Sequence, residues 1–543
     1  MTGRESSKSG DERVVAQQRA WAIGRRRVLQ AMGLSAAALA FGQMPTARRG
    51  VAAAAQDGEP KAGGSLSMSL ADNDVQSFDP ITVTDNMSIW TQLLVYDQLV
   101  RVAPDGLSVE PGLAESWDVS EDAKTYTFHL RDATFHDGAP VTADDVVFSL
   151  NRAISDDTSL WTFLFTAVAS VEAVDDKTVV ATLSETWAPF EAVMALFAAS
   201  IFPQKLYEEQ GDELWQHPIG SGPFMFDSWN KGVEIVLKKN PNYWVAGQPY
   251  LDEVHLQVLT DSNARMLQFQ AGELDIATDV PFSQLDALRA NPDAIVLQDA
   301  VARLDYYPML NTRPPFDDAK LRLAMNYAID RDAIIQNVLF GAGQPATTYL
   351  PLMWGHDAEA PGYPHDLDKA KALIAESAAK DGFAAELLID AGDPVRAQVA
   401  QLVAADLAQI GGQITITQLD PAALSDRRNS MDYQIAAQYY TSDIIDPDEL
   451  TTVAVQSDGG VDSVWTGYKN EEVDKLVIEA RTTLDPDRRL ALYSQIQRLV
   501  AEDAPSLYLF YPTGRTATQA VIQNFHILPT GNYRLWETWR ADA

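Results

Sequence analysis

The chain has 543 residues, more than one hydrophobic core usually supports, so we expect at least two lobes. With 46% hydrophobic and 22% charged residues, the composition is that of a globular protein and excludes extended disorder. The formal net charge of −35 excludes nucleic acid and anionic membrane surfaces as natural partners, because both are negatively charged themselves.

Residues 1–55 have the three-part pattern of an export signal. Arg25-Arg26 resembles the twin-arginine pair, a short and weakly apolar run follows at 28–41, and Ala53-Ala54-Ala55 offers a cleavage site before Gln56. The alternative is a disordered basic tail. We expect a twin-arginine signal peptide and a periplasmic protein. Because the chain contains no cysteine, we do not expect a lipid anchor.

In the first half of the remaining chain, polar and apolar residues alternate in segments that we predict to be strands. Thr142, with Asp145 three residues later, is typical of a helix start. The segment 264–271 is predicted to be a helix that ends at Gly272. The predicted strands are 65–70, 125–131, 179–183, 234–237 and 254–259.

From about residue 317 the helical pattern becomes more frequent and alternates with strands. Such alternation favours a sheet with helices on its faces, and therefore a mixed α/β fold. The predicted helices are 320–329, 332–340, 367–377, 396–410, 471–481 and 486–502. The predicted strands between them are 386–390, 413–418 and 433–438.

No catalytic, nucleotide-binding or metal-binding motif can be assigned. The glycine-rich segment 341–346 follows a predicted helix instead of a strand and contains Pro345, while 220–223 is typical of a turn. The seven histidines are not spaced to share a metal on one helix face, and no cysteine offers a thiolate. Acids are too abundant to argue for a catalytic pair. We therefore expect no enzyme activity, no cofactor and no metal.

Several segments occur together in an order that resembles a known family. The most specific is Pro-Gly-Leu-Ala-Glu-Ser-Trp at 111–117, which continues through 126–131, 135–138 and 142–149. Further matches lie at 219–224, 240–244, 272–275, 310–317, 328–331 and 446–448. Together they resemble the bacterial extracellular solute-binding protein family 5, the dipeptide-, oligopeptide- and nickel-binding proteins of ABC importers.

The resemblance implies an α/β, two-lobed periplasmic-binding-protein fold with an extra small domain on the first lobe. It also implies a hinge of two crossover strands, near residues 306–310 and 507–511. The implied segments are 57–105, 210–308 and 508–543 for the first lobe, 106–209 for the extra domain, and 309–507 for the second lobe.

A zwitterionic peptide buried between two lobes needs an acid for its amine, because an unpaired buried charge is very costly. The family's peptide binders place that acid just after a strand of the second lobe and shortly before an Asp-Pro, a position that Asp443 matches. The neighbouring acids have a structural explanation of their own. Asp446, Pro447 and Glu449 have the pattern of a helix cap, a first-turn proline and a capping-box acid, which leaves Asp443 available for a ligand.

Other candidate ligand contacts follow from the resemblance. Tyr439 and Tyr440 lie where the family often has glycine and tryptophan. Tyr440 therefore keeps an aromatic side chain in the wall of the ligand site, whereas Tyr439 places a bulky side chain where the family often has none. Arg396 lies near the family's carboxylate-binding arginine, with a solvated helix-start arginine as the alternative. The remaining candidates, each of which could instead serve packing, are Asn86, Met87, Tyr306, Tyr307, Asn311, Trp465 and Tyr468.

We therefore expect the substrate-binding component of an ABC-type importer, a monomer that captures a di- or oligopeptide and delivers it to permease subunits in the membrane. A receptor of the same architecture for an opine, a sugar or a metal chelate is the first alternative. An exported hydrolase with an acidic pair is the second. Turnover would identify the hydrolase, whereas tight stoichiometric binding without product would identify a receptor.

Overall fold

The computed structural model describes residues 59–457, 459–460 and 465–543. The predicted signal peptide at 1–55 lies outside these residues. Within the part of the chain that the structure describes, no helix is both long enough and apolar enough to cross a membrane.

The strands in the first part of the chain are β1 Ser65–Leu70, β2 Val100–Val102, β3 Val109–Pro111, β4 Ala114–Val119, β5 Thr125–Leu130, β6 Val168–Asp175, β7 Thr178–Leu183, β8 Phe224–Asn230, β9 Glu234–Lys239, β10 Glu253–Val258 and β11 Ile276–Ala277. Those that follow are β12 Ala294–Leu297, β13 Arg303–Pro308, β14 Gly343–Pro345, β15 Phe383–Asp390, β16 Gly412–Leu419, β17 Ile435–Ala436, β18 Gln438–Thr441, β19 Ser506–Pro512, β20 Thr516–Gln519, β21 Ile522–Gln523 and β22 Trp539–Arg540.

The helices are α1 Asn86–Val95, α2 Ala143–Ser155, α3 Phe190–Val193, α4 Gln204–Gln210, α5 Ser262–Ala271, α6 Leu285–Arg289, α7 Ala319–Ala328, α8 Arg331–Val338, α9 Leu367–Ala375, α10 Pro394–Ala408, α11 Pro421–Asn429, α12 Asp448–Val455, α13 Glu471–Thr482 and α14 Pro486–Asp503. Short 3-10 turns lie at Thr162–Leu164, Phe197–Ala199, Gly211–Gln216, Phe282–Gln284 and Leu535–Glu537.

Many helices begin after a short polar residue whose side chain accepts a hydrogen bond from the first turn. This use accounts for part of the acidic composition, because aspartate satisfies a free backbone N–H and also complements the helix dipole. The predicted start at Thr142 is confirmed, since Thr142 and Asp145 form a complete capping box. The caps are Asp85, Thr142, Asp261, Asp318, Asp330, Asp366, Asp393, Asp420, Asn470 and Asp485.

The largest sheet has seven strands in the order β12-β20-β11-β1-β10-β9-β8. Its central strand β1 follows the predicted alternation in part, because Leu66, Met68 and Leu70 are buried and Ser65 is exposed, but Ser69 is buried as well. Strand β1 pairs in parallel with β10, which pairs antiparallel with β9. The strands come from three separated stretches of the chain, the arrangement that the resemblance implies for a first lobe.

A separate antiparallel sheet in the order β4-β5-β7-β6 packs against helix α2, and we name this unit the extra domain. Its strand β5 alternates as the sequence predicts, with Tyr126, Phe128 and Leu130 buried. Apolar residues of the strands and of α2 share one hydrophobic core.

The second lobe contains the parallel sheet β16-β15-β17, with helices α10 and α11 packed against it. Next to it lies a four-stranded sheet in the order β14-β19-β13-β18. Its paired central strands β13 and β19 contain most of the predicted crossovers, but β13 begins at Arg303, three residues earlier than expected, and ends at Pro308. The two-lobed α/β fold is confirmed, and the exact segment boundaries stay predictions.

The predicted strand at 433–438 is in fact two short strands that belong to different sheets. Ile435 and Ala436 pair in parallel with β15, whereas β18 pairs antiparallel with β13. Between them, the N–H of Ala437 still donates to the carbonyl of Leu388 at 2.7 Å. The chain therefore passes from one sheet to the next at Ala437, which continuous alternation in the sequence does not reveal.

Gly220, in the predicted turn at 220–223, lies against the last residue of helix α1 and the residue that follows it. A Cβ atom here would overlap the carbonyl oxygen of Val95 and lie 2.7 Å from the ring of Tyr96. We expect Gly220→Ala to lower the free energy of unfolding by about 1–3 kcal/mol through overpacking, measured by urea denaturation. The control is Gly514→Ala, whose added Cβ would meet its nearest neighbours at 3.4 Å. Equal stability of both variants and the wild type would contradict the prediction.

Candidate functional site

The paired strands β13 and β18 present two different faces. Arg303 lies opposite Thr441 and Asp305 opposite Tyr439, so these four side chains share one face. On the other face, Leu304 and its neighbours pack into a buried hydrophobic cluster. We call the polar side the cleft face, and it is defined by Arg303, Asp305, Tyr439 and Thr441.

Arg303 is the central cation of the cleft face. Its Nε donates to Oδ2 of Asp305 at 2.8 Å and its Nη2 to Oδ1 at 3.1 Å, which is a bidentate ion pair. Its guanidinium also lies 3.9 Å above the centre of the Tyr439 ring. Burial acts to lower the pKa of Arg303, but the adjacent carboxylate of Asp305 outweighs burial and raises the pKa.

Arg396 approaches the same aromatic ring from helix α10. Its guanidinium lies 5.3 Å from the centre of the Tyr439 ring. It forms ion pairs with Asp390 and, over 3.5 Å, with Asp393. Only 18% of its side chain is exposed, and burial lowers its pKa, so it is not a solvated helix-start arginine. Whether it contacts a ligand stays a prediction.

The first lobe contributes two acids to the surroundings of Arg303. Burial raises the pKa of Asp72, and the negative charge of Asp279 raises it further, although solvent still reaches Asp72. Burial also acts to raise the pKa of Asp279, but its partner Arg515, with a smaller contribution from Arg303, lowers it. Solvent thus reaches Asp72 and Asp279 although protein atoms surround them on most sides, as is expected of groups in a narrow cleft.

The loop after β18 holds the predicted amine-binding acid beside a second carboxyl group. Oε2 of Glu449 accepts hydrogen bonds from the N–H groups of Asp443 at 2.9 Å and Ile444 at 3.1 Å. It also accepts one from the hydroxyl of Ser442 at 3.2 Å. Glu449 therefore shapes this loop and does not close the capping box that its position predicts.

The two carboxyl groups of the loop share a buried environment. Burial raises the pKa of Asp443 to about 7, and burial together with the charge of Asp443 raises the pKa of Glu449. Their side chains are in hydrogen-bond contact. Two carboxylates this close do not both ionise readily, so near neutral pH the pair favours keeping at least one proton.

Two ion pairs fix the helix that follows the loop. Arg489 binds Asp446 through two hydrogen bonds of 2.8 Å, and Arg481 binds Asp448 at 3.0 Å. The helix begins at Asp448 with Pro447 as its cap, so Asp446 lies one residue before the cap that was predicted for it, although it still accepts a hydrogen bond from the N–H of Asp448 at 3.0 Å. These contacts occupy Asp446 and Asp448, whereas Asp443 has no charged partner of opposite sign among the described residues.

The same region contacts the extra domain. Ile444 is buried in the hydrophobic core of that domain, together with Trp187. The N–H of Ala188 donates to the carbonyl oxygen of Arg481 at 2.8 Å. Asp443 therefore lies in a segment where the second lobe and the extra domain meet.

Three predicted tyrosines lie on or beside the hinge sheet. Tyr306 is buried and its ring centre lies 4.9 Å from that of Tyr440, whose hydroxyl donates to the carbonyl of Tyr349. Both belong to the face opposite the cleft face. Tyr307 shares the alternation of Arg303, and its buried hydroxyl has no hydrogen-bond partner in the described part of the chain.

The remaining predicted residues have structural roles that do not require a ligand. Met87, in α1, is buried in the first-lobe core, next to the half-buried Asn86. Asn311 donates to the carbonyl of Pro505 at 3.2 Å. Trp465 is buried under Arg428 at 4.0 Å, and Tyr468 donates to Asp503 at 2.7 Å. None of these residues is among the four that define the cleft face, and their ligand contacts stay predictions.

Two open surface depressions lie away from the cleft face. One, of about 610 Å³, lies where strands β15 and β16 begin, and the other, of about 630 Å³, lies beside the start of β1 and the end of β9. Neither is lined by a predicted ligand residue. In addition, no group of three potential metal ligands occurs within the described ranges.

Sequence reasoning missed Arg303, Asp305, Asp72 and the loop-shaping role of Glu449. The first two could have been found, because Arg303, Asp305 and Tyr307 alternate with apolar or aromatic residues at strand spacing. Because the first crossover strand is predicted at 306–310, Arg303 falls outside the predicted hinge. Asp72 carries no local signal, since only the fold brings it near β13.

Comparison with known proteins decides the family. A family model described as bacterial extracellular solute-binding proteins, family 5 Middle, matches residues 108–461. The chain belongs to this family. The resemblance expected from the sequence motifs is thereby confirmed, and the family and the relatives named below are binding proteins.

This solute-binding protein is 34% identical, over 468 residues, to the probable D,D-dipeptide-binding periplasmic protein DdpA of Escherichia coli. The match covers 84% of the chain and 90% of that relative. Its structure resembles DppA of Helicobacter pylori in complex with the peptide STSA, with a TM-score of 0.80, 28% identity, and coverage of 89% and 99% of the two chains. It also resembles AgaA of A. tumefaciens in complex with agropinic acid, with a TM-score of 0.78, 28% identity, and coverage of 88% and 99%.

The raised pKa of Asp443 leads to a pH prediction for the ligand-free protein. A carboxyl group whose pKa is about 7 when folded and 3.8 when unfolded keeps its proton only in the folded state across that interval. Stability attributable to it therefore falls as the pH rises from about 4 to about 7. We expect urea denaturation at about pH 5 and about pH 7 to show a smaller decline for Asp443→Asn than for the wild type.

Other buried acids, such as Asp97 with a pKa of about 6, contribute to the same decline, so the difference between variants is the informative quantity. Asp157→Asn, at an exposed aspartate of the extra domain, is the matched control and should behave as the wild type does. An unchanged decline in Asp443→Asn would refute the prediction.

Proposed function

We propose that this solute-binding protein captures a short peptide between its lobes, through the peptide's free ammonium group, and delivers it to the permease of an ABC importer. The observation that carries the proposal is the position of Asp443. It is a crowded carboxyl group just after β18 that shares its environment with a second acid and has no basic partner among the described residues. An ammonium group would supply the missing positive charge.

The pair of acids suits a ligand with a single positive charge. An ammonium group bound beside Asp443 and Glu449 favours the loss of one proton from the pair, whose single negative charge then balances the ligand's positive charge. Burying a charge without such compensation costs several kcal/mol (of the order of 5) even after relaxation. The same reasoning disfavours a neutral sugar, which would leave the negative charge of the pair unbalanced.

Closure of the lobes follows from the ligand's higher affinity for the closed state than for the open state. A ligand that touches both lobes can make all its contacts only when the lobes are together, so it stabilises that state by the difference in affinity. The loop of Asp443 is suited to this coupling, because Ile444, the next residue, already packs into the extra domain. The closed form would then be the form that the permease recognises.

An opine is the second candidate ligand. The similarity to AgaA in complex with agropinic acid is nearly as high as the similarity to the peptide-bound DppA. In addition, the bulk of Tyr439 on the cleft face narrows the space for a peptide backbone. Peptides remain the first candidate because DdpA, the relative with 34% identity, is named as a dipeptide-binding protein.

The proposal predicts that peptides raise the melting temperature of the refolded, ligand-free protein in a panel of di- to pentapeptides, sugars, opines and nickel chelates. A ligand at one hundred times its Kd stabilises the folded state by about 2.7 kcal/mol. N-terminal acetylation of an active peptide, or Asp443→Ala, should weaken binding by about 30-fold or more, because each leaves a buried charge unpaired.

The matched control is Asp157→Ala, which should leave the peptide shifts unchanged. Stabilisation by a solute of another class, with none by any peptide, would rule out the peptide and leave the receptor architecture intact. Full peptide binding by Asp443→Ala would remove the proposed role of that residue.

Export through the twin-arginine pathway is also proposed, on the sequence pattern of residues 1–55 alone. Replacing both Arg25 and Arg26 by lysine should abolish the appearance of the protein in the periplasmic fraction of a host with this pathway, measured by immunoblotting. Arg27→Lys is the control, since it changes the adjacent arginine and leaves the pair intact. Unimpaired export of the double variant would exclude this route.

A further inference from the structure

The extra domain meets the second lobe through the loop that joins strand β7 to helix α3. Trp187, in the middle of this loop, is 2% exposed, and its ring centre lies 6.4 Å from that of Phe190. The hydroxyl of Thr186 donates to the carbonyl of Asp122 at 3.0 Å. The loop is therefore anchored within the extra domain on both sides of Trp187.

The next residue of this loop completes the end of a helix in the second lobe. Carbonyl groups in the last turn of a helix have no partner within the helix and need one from elsewhere. At the end of α13, the carbonyls of Glu479 and Ala480 accept hydrogen bonds of 2.7 and 3.0 Å from side chains of the second lobe itself. The carbonyl of Arg481 accepts instead from the N–H of Ala188, at 2.8 Å. The extra domain thus caps a helix that is not its own.

Ile444 adds an apolar contact between the same two units. It lies in the second-lobe loop after β18, is 1% exposed, and belongs to the same hydrophobic core as Trp187. Its N–H donates to Oε2 of Glu449 at 3.1 Å, and its carbonyl accepts from the hydroxyl of Ser442 at 2.7 Å. The backbone of Ile444 is therefore held by its own lobe while its side chain is buried in the extra domain. Separation of the lobes would expose this side chain to water, which is unfavourable.

Both contact points of the second lobe belong to one cross-braced unit. The side chain of Arg481 binds Asp448 at 3.0 Å and Oε1 of Gln456 at 3.0 Å, so helix α13 is tied to helix α12. Glu449, which holds Ile444, is the second residue of α12. The buried side chain of Ile444 and the carbonyl of Arg481 are therefore expected to meet or leave the extra domain together.

We infer that this interlobe contact, formed by Trp187 and Ala188 of the extra domain with Ile444 and Arg481 of the second lobe, stabilises the closed arrangement of the lobes by itself. The extra domain would then regulate how readily the ligand cleft opens. This inference rests on the lobe closure of the proposed function, and it adds a regulation that does not depend on which ligand is bound.

The chemistry of the contact distinguishes it from a ligand site. Its hydrogen bond and its buried side chain join protein groups to each other, and its residues are not those of the cleft face. A contact of this kind adds equally to the affinity of every ligand that the closed lobes enclose. A side chain that touches the ligand, in contrast, changes only the affinity of ligands that make that contact.

The test is hydrogen–deuterium exchange, followed by mass spectrometry, on the refolded, ligand-free protein. The amide of Ala188 exchanges when its hydrogen bond to Arg481 opens, so its rate reports separation of the lobes at this point. We expect Ile444→Ala to accelerate this exchange about tenfold or more, because the smaller side chain leaves a cavity in the contact. Ile444→Val should accelerate it about threefold, since it removes only one methyl group.

Two controls separate opening of the lobes from loss of structure. The amides of β5, an inner strand of the extra-domain sheet, should keep their wild-type rates in both Ile444 variants. Ile374→Ala, at a buried isoleucine in a different core of the second lobe, should leave the exchange of Ala188 unchanged.

Ala188→Pro provides a second variant if Ile444→Ala folds poorly, because proline removes the N–H that binds Arg481. It should increase the radius of gyration of the ligand-free protein, measured by small-angle X-ray scattering. Glu185→Pro is its matched control in the same loop and should keep the wild-type radius, since the N–H of Glu185 donates to no group of the described residues.

An unchanged Ala188 rate in Ile444→Ala, or an unchanged radius in Ala188→Pro, would overturn the inference. Equal acceleration of the β5 amides would also overturn it, since Ile444 would then serve only the folding of the extra domain. These results would leave the proposed function standing, because no ligand takes part in the measurement. Failure of every peptide to raise the melting temperature would instead remove the proposed peptide ligand and leave the interlobe contact intact.

Discussion

The pairing of β18 with β13 is the interaction on which the candidate site depends. The chain leaves the second-lobe sheet at Ala437, where its N–H still bonds to Leu388, and then joins the hinge strand. This change of partner sets Tyr439 beside Asp305 and brings the following loop to the extra domain. If the segment had stayed paired with β15, Tyr439 would not lie opposite Asp305, and the polar side chains of the segment would lie away from the hinge.

Buried ion pairs, in which each charge is balanced by its partner, keep this arrangement in place. The ion pairs of Arg489 with Asp446 and of Arg481 with Asp448 are largely buried, so neither partner can be removed without leaving an unbalanced charge. They hold helix α12 while Glu449, on its first turn, accepts hydrogen bonds from the loop. The loop is therefore well positioned, yet its own acid, Asp443, remains available to a cation. A rigid frame around an unsatisfied group is what a binding site requires.

Family membership and local chemistry address different questions about this protein. The family assigns a two-lobed receptor, and relatives of similar structure are named for peptides and for an opine. The choice between such ligands depends on a few side chains of the cleft face. Near the hinge sheet these include the acid pair of Asp443 and Glu449 and the two arginines that lie over Tyr439. Solvent reaches these groups only partly, so electrostatic interactions there are stronger than at an open surface.

The sequence by itself determined the family, the α/β class and many helix starts, because these depend on local patterns such as the motif at 111–149 and the capping box of Thr142. It also singled out Asp443, through its place before Asp-Pro. Only the tertiary structure decided the role of Glu449, the division of 433–438 between two sheets, and the meeting of Asp72, Arg303 and Arg396. Asp72, Arg303 and Arg396 are far apart along the chain, and contacts between distant residues leave no periodic signal in the segments that form them.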